Sequence, residues 1–135
     1  MTQETDFMQI AIDEAHKAAR KGEVPIGAVI VCDGKVIAKA HNMRERKQNA
    51  LAHAEVLCIA KACKRLKSWR LDTCVMYVTL EPCAMCMGAL TNARVKKVYF
   101  GARSETDLNW KVETELGLRE ECSEILRDFF SSKRK

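Results

Sequence analysis

Two short segments of this chain concentrate side chains that can hold a metal ion and move a proton: His53-Ala54-Glu55, and Glu81-Pro82-Cys83-Ala84-Met85-Cys86. Taken singly, each has several readings. A Cys-x-x-Cys can be a redox pair, half of a structural zinc site, or a coincidence in a chain with seven cysteines. A lone histidine in a helix is more often a packed or surface residue. Taken together they read as a metal centre. One neutral imidazole and two thiolates are three ligands for Zn²⁺, which prefers four in a tetrahedron. A catalytic site leaves the fourth position to water, and no second Cys-x-x-Cys or paired histidine stands elsewhere in the sequence to fill it.

Glu55 sharpens the reading. Residues two apart do not share a face inside a regular helix, so His53 and Glu55 can approach one ion only if it lies beyond the helix's N-terminal end. The carboxylate then belongs beside the metal's water, as proton acceptor and donor rather than as ligand. Zn²⁺ lowers the pKa of that water towards ~7, which makes hydroxide available for attack on an sp² carbon bearing an amine. Cys83 and Cys86 gain from the first turn of a helix, where free N–H groups and the positive end of the dipole favour thiolate over thiol. Pro82 is tolerated at such a start because its nitrogen needs no hydrogen bond.

The elements that must position these groups alternate between helix and strand. Residues 5–21 predict a helix, with Met8, Ala11, Ile12, Ala15 and Ala19 at helical spacing and Gly22 just past the end. Ile26 to Cys32 and Val36 to His41 predict two strands joined by Asp33-Gly34, the signal of a tight hairpin turn. A second helix over 53–66 carries Ile59, Ala62, Cys63 and Leu66 on one stripe. Val75 to Leu80 reads as a buried strand, Cys83 to Asn92 as a third helix, and Val95 to Phe100 as another strand. A short edge strand is expected around Lys111 to Thr114. Cys122, Ile125, Leu126, Phe129 and Phe130 form the apolar stripe of a last helix. This order implies an α/β domain in which helices cover a mixed sheet.

Composition bounds the rest. The 135 residues suit one domain, 1–135, and 47% hydrophobic with 30% charged residues excludes a disordered or fibrous chain. The longest uncharged stretch, Pro82 to Ala93, is too short to cross a membrane. Met1 to Asp6 is polar, without a signal-peptide pattern, so the expectation is a soluble intracellular protein with reduced thiols. Cys32, Cys58, Cys63, Cys74 and Cys122 then read as small buried residues. The net charge of +5 is mild, but Lys61, Lys64, Arg65, Lys67 and Arg70 cluster, as do Arg94, Lys96 and Lys97, and Arg44, Arg46 and Lys47. Such groups suit a polyanion; equally, they are what solvated helix faces look like.

His53-Ala54-Glu55 followed by Pro82-Cys83-Ala84-Met85-Cys86 is the known signature of the zinc-dependent nucleobase deaminases. Further segments extend the match: Gly22 to Val29, His41-Asn42, Ala52 to Glu55, Ser68 to Leu71, Tyr77 to Cys83, Gly101-Ala102, Glu120 to Cys122 and Phe129-Phe130. The chain resembles the tRNA-specific adenosine deaminases (the TadA family), almost continuously from residue 7 to 102 and again in the last helix. The resemblance implies a cytidine-deaminase-like three-layer α/β/α sandwich with a mixed central sheet, a homodimer, and a cytoplasmic enzyme. Its reaction would convert adenosine to inosine at the wobble position of a tRNA anticodon stem-loop, by hydroxide attack on C6. Zn²⁺ would sit on His53, Cys83 and Cys86, Glu55 would shuttle the proton, and Asn42 would hydrogen-bond the flipped nucleotide. Read without the resemblance, Asn42 is also an ordinary turn residue after a strand.

One segment departs from the family. After Gly101-Ala102 the relatives carry Asp-Pro-Lys or a close variant, a Gly-rich stretch and an Asn-His pair. Here Arg103 to Leu108 replace these, and Asn109-Trp110 stand in the place of Asn-His. Three other functions therefore stay open at this point. The chain can be a deaminase of a free base or nucleoside such as guanine or cytosine, an enzyme acting on adenine in single-stranded DNA or RNA, or a non-catalytic module with a zinc-stabilised fold. Glu55 argues against the last, since a purely structural site needs no carboxylate there. A redox role for Cys83 and Cys86 leaves His53 and Glu55 unexplained. Phe129 and Phe130 fit a core stripe, although one of them would also suit stacking against a base. Trp69 and Trp110 have no place fixed by the pattern.

Overall fold

A computed structural model describes residues 5–104 and 112–133. In chain order the elements are α1 (Phe7–Arg20), β1 (Gly27–Cys32), β2 (Lys35–His41), α2 (Arg44–Lys47), α3 (Ala54–Leu66), β3 (Cys74–Val78), α4 (Ala84–Asn92), β4 (Lys97–Phe100), β5 (Glu113–Leu116) and α5 (Glu120–Lys133). The five strands form one sheet in the order β2-β1-β3-β4-β5. β1 runs antiparallel to both β2 and β3, while β3, β4 and β5 are parallel. The sheet is mixed, as expected.

Asp33 and Gly34 both have positive φ, 51° and 76°, which is the turn that matches the twist of a two-residue hairpin. Alternation along the strands then divides the side chains between two helical layers. Ala28, Ile30, Met76, Val78, Val98 and Phe100 pack with α3 and α4. Val29 and Val31 pack with Met8, Ala11 and Ile12 of α1 and with Cys122 of α5, alongside Tyr77 and Tyr99. Tyr77 and Tyr99 are register partners with stacked rings 4.7 Å apart. The result is the three-layer α/β/α sandwich. Gly27 is where α1 lies closest to the sheet, since a Cβ there would sit 2.0 Å from the Ala11 carbonyl oxygen.

Four details differ from the sequence expectations. The buried stripe of α3 is Ala54, Glu55, Cys58 and Ala62, and Leu66 is 39% exposed. Small side chains let α3 sit close on β1 and β2, which turns the larger Ile59 and Leu66 towards its flank. On α5, Cys122 and Ile125 are buried but Phe130 is 44% exposed, so the core stripe ends before it. Cys32 and Cys63 are half-buried rather than buried; Cys58, Cys74 and Cys122 are buried as expected. The edge strand falls at Glu113–Leu116, beside β4. Lys111, Asn109, Trp110 and the segment 105–111 lie outside the described residues. Among the described residues no helix is long and apolar enough to cross a membrane.

Candidate active site

The chain gathers its chemistry at one end of the sheet, where β2 and β3 end and two helices begin. β3 stops at Val78, and Thr79 to Pro82 carry the chain outward. Thr79 Oγ1 accepts from Gly27 N at 3.2 Å, which ties the end of β3 to the start of β1. Cys83 then stands as the N-cap of α4 with extended backbone, and Cys86 lies buried in its first turn. His53 is the N-cap of α3, also extended, with no side-chain capping bond. Its imidazole is thereby free to turn away from its own helix.

It turns towards the two cysteines. His53 Nδ1 lies 3.7 Å from Cys83 Sγ and 3.5 Å from Cys86 Sγ, across 30 and 33 residues of chain. All three donor atoms fall within 4.8 Å of one another. A tetrahedral Zn²⁺ with bonds of about 2.3 Å to sulfur and 2.05 Å to nitrogen places such donors about 3.6 Å apart, so the set fits that ion. Burial and the Arg44 guanidinium hold the His53 imidazole below its ordinary pKa, in the neutral form that ligates. Burial and the neighbouring Glu55 carboxylate push the Cys86 thiol up, an effect that a cation beside it reverses.

Glu55 sits in the first turn of α3, 3% exposed, and its Oε1 has no hydrogen-bond partner. A buried polar atom left unpaired costs about 1–3 kcal/mol, so an orphaned carboxylate oxygen at the floor of a cleft marks a place for a ligand. Burial pushes this carboxyl up to about 7. The cleft above it has a volume of about 210 Å³. Val24, Ile26 and Leu80 make apolar walls, and Asn42, Arg44 and Glu81 add polar groups. This is below the roughly 300–1,000 Å³ of drug-sized sites, so it admits one ring system. Larger grooves of about 690 Å³ beside β2 and about 460 Å³ between α1 and α5 bring together no comparable donor set.

Four of the five residues singled out from the sequence, Asn42, His53, Glu55 and Cys83, line this cleft, and the buried Cys86 reaches it through His53, 3.5 Å away. Asn42 has a further role that the sequence left open. Its Oδ1 accepts from Ala54 N at 2.8 Å, satisfying a free N–H at the start of α3 and fixing the side chain. Behind it, His41 is held on both ring nitrogens: Nδ1 pairs with Glu14 Oε1 at 3.1 Å and Nε2 with Lys21 Nζ at 3.1 Å. An ammonium only donates, so Nε2 accepts and Nδ1 carries the hydrogen. Burial raises the Glu14 pKa, but the hydrogen bonds from Lys17 and His41 outweigh this and hold it low.

Glu23 was not anticipated. It is 2% exposed, and its carboxylate accepts from Glu45 N at 3.1 Å and Arg46 N at 2.8 Å, anchoring α2 and with it Arg44 at the cleft mouth. The available signal was a charged residue set between Gly22 and the apolar run from Val24.

Two solved structures share this architecture. One comes from a study of A-to-I editing by tRNA:A34 deaminases at the wobble position of transfer RNA; it is 38% identical, with a TM-score of 0.83, covering 89% of this chain and 98% of that one. The other is a guanine deaminase from Bacillus subtilis, 34% identical, with a TM-score of 0.70, covering 100% of this chain and 96% of that one. Fold and site together define a deaminase of the cytidine-deaminase-like fold. The pattern of the MafB19-like deaminase family matches residues 2–134. The tRNA-specific adenosine deaminase of Bacillus subtilis (strain 168) is 49% identical over 150 positions, covering 100% of this chain and 93% of that protein. The chain belongs to the MafB19-like deaminases and, among them, to the tRNA-specific adenosine deaminases. Because that alignment is 150 positions long and the chain has 135 residues, the relative carries residues with no counterpart here, in keeping with the short segment after Ala102.

Proposed function

We propose that this enzyme hydrolyses the C6 amino group of adenosine in a tRNA anticodon loop, yielding inosine and ammonia, with Zn²⁺ held by His53, Cys83 and Cys86. The observation that carries the chemistry is the buried, unpartnered Glu55 oxygen beside that donor set. When bound, the metal supplies a Lewis acid that brings water's acidity into the neutral range. Glu55 takes one proton from the attacking water and gives it to ring nitrogen N1. It then takes the second from the new C6 hydroxyl as the C6 carbonyl forms and gives it to the departing amine. Val24, Ile26 and Leu80 sandwich the flipped base and keep bulk water out. Asn42, whose oxygen is engaged by Ala54 N, presents its amide N–H groups to the nucleotide.

The polymer enters this reading through Arg44, which lines the cleft, with Arg46 and Lys47 exposed on the same short helix, suited to phosphates flanking the target base. A homodimer is supported by the side of α4 that the sheet does not cover, where Ala84, Met85, Gly88 and Ala89 are apolar and not buried. A cytoplasmic site of action is in keeping with that substrate.

The test is inosine formation, by mass spectrometry, from an adenosine-bearing anticodon stem-loop beside free adenosine, guanine and cytosine. Conversion of the stem-loop is expected, with KM rising about 10–100-fold between 50 and 200 mM salt if three to five phosphates are contacted. A flat salt response would refute the polymer substrate. Conversion of guanine alone would favour the second reading, which the 34% identity to a guanine deaminase over the whole chain keeps in view.

Glu23→Ala should raise KM for the stem-loop on the order of tenfold, the loss of roughly one charge-assisted contact, with metal content unchanged. Glu23→Gln, which keeps an acceptor, should recover much of that loss. Unchanged KM in Glu23→Ala would show that α2 needs no such anchor.

A further inference from the structure

Two cysteines outside the active site face each other across the sheet. Cys32 ends β1 and Cys74 begins β3, and the antiparallel register makes them direct partners. Backbone bonding settles which kind of pair this is. Thr79 N donates to Gly27 O, so hydrogen-bonded pairs recur at every second position from that end, and Cys32–Cys74, five positions on, is a non-hydrogen-bonded pair. In agreement, the Cys74 N–H donates to Leu71 O and its carbonyl accepts from Lys96 N, both away from β1. Non-hydrogen-bonded partners have Cα atoms about 4.5 Å apart with their side chains drawn together. Disulfides span Cα separations of about 4.4–6.8 Å.

Both side chains also lie on the same face. Cys74 is fully buried in the core beneath α3 and α4, and the half-buried Cys32 packs against that core. Burial, together with contact with the Cys32 thiol, pushes the Cys74 thiol up to about 11. Cys32 Sγ lies 3.3 Å from Thr73 Oγ1 at the sheet margin, where a small reagent can reach it. Cys83 and Cys86 are set apart by their approach to His53 at the opposite end of the strands.

We propose that Cys32 and Cys74 are a modification site, a dithiol that the fold holds ready to close into a disulfide by exchange with a low-molecular-weight disulfide such as oxidised glutathione. Cys32, the accessible partner, attacks as thiolate. One sulfur–sulfur bond of glutathione disulfide breaks, a Cys32–glutathione mixed disulfide forms, and one glutathione leaves as thiolate. Cys74 then loses its proton and attacks the Cys32 sulfur, forming the Cys32–Cys74 bond and releasing the second glutathione. Two protein thiols are oxidised and one glutathione disulfide is reduced. The bond closes a loop over residues 33–73, which carries Asn42, His53 and Glu55, yet it lies five residues, about 16 Å of strand, from the cleft end of β1. It should therefore restrict the unfolded chain without disturbing the site, and it does not depend on which substrate the enzyme uses.

The experiment treats the metal-loaded full chain with oxidised glutathione, alkylates the remaining thiols and maps tryptic peptides by mass spectrometry. The expected product links peptide 22–35 to peptide 71–94, with fragmentation placing the bond at Cys74 rather than Cys83 or Cys86. Metal content should be unchanged, and Tm should rise by about 7–14 °C, for a loop of this length. Cys32→Ser should abolish the link and the rise, and Cys74→Ala should stop at a glutathione adduct on Cys32. A wild-type chain that stops at that adduct, that links Cys32 to Cys83 or Cys86, or that shows no link at all overturns the proposal. A link that forms but lowers Tm overturns it too, because the native register would then have to distort to accept the bond.

Discussion

Glu55→Gln is expected to fold, to keep its metal, and to form inosine about 10²- to 10⁴-fold more slowly, the range that a positioned proton carrier contributes. The substitution keeps the shape of a side chain that is 3% exposed, so packing around α3 is preserved. It also replaces a carboxylate oxygen without a partner by a neutral amide, which removes rather than adds a burial cost. What it deletes is the capacity to take a proton from water and return it. Glu55 is not among the three converging donor atoms, so metal content should match the parent. Single-turnover inosine formation and metal analysis on one preparation measure both halves. Turnover at the parental rate would remove Glu55 from the reaction.

His53→Ala should fail in the opposite order, losing metal first and activity with it. The imidazole is one of three donors, and two sulfurs alone leave the ion half-coordinated. Because His53 makes no side-chain capping bond, its removal should leave α3 itself intact. The variant should therefore fold, bind less than about a tenth of the parental metal, and show no detectable deamination. Metal that binds only the folded state raises its stability by mass action. Added zinc should thus raise the parental Tm and leave that of His53→Ala unmoved. Full metal occupancy in His53→Ala would exclude it as a ligand. The pair of variants separates the two roles: one keeps metal without chemistry, and the other keeps the fold without metal.

Much of this architecture was legible because it is local. The hairpin turn at Asp33-Gly34 follows from the only two residues there that accept positive φ cheaply, and the structure has both in that region. On α1, Met8, Ala11, Ile12 and Ala15 are buried as their spacing requires. On α3 the same reasoning found Ala62, which is buried, and Ile59 and Cys63, which pack against the core. It included the exposed Leu66 and missed Ala54 and Cys58, which are as periodic as the larger residues beside them. Which stripe is buried depends on how closely α3 approaches the sheet. α2 was missed altogether: Arg44-Glu45-Arg46-Lys47 has no apolar periodicity, and a carboxylate from a distant segment, Glu23, holds its N–H groups.

The same division runs through the active site. Sequence alone singled out the candidate donors and the candidate proton carrier, because a Cys-x-x-Cys at a helix start and a His-x-Glu whose side chains meet only beyond a helix's N-terminal end can serve one ion. It determined the family as well. Only the tertiary structure decided that the first turns of α3 and α4 meet, bringing His53 within 3.7 Å of a sulfur 30 residues away. It also decided that Asn42 locks the start of α3, and that Cys32 lies opposite Cys74. Those contacts depend on strand order and register, which arise from packing the whole sheet between its two helical layers; no local spacing encodes them.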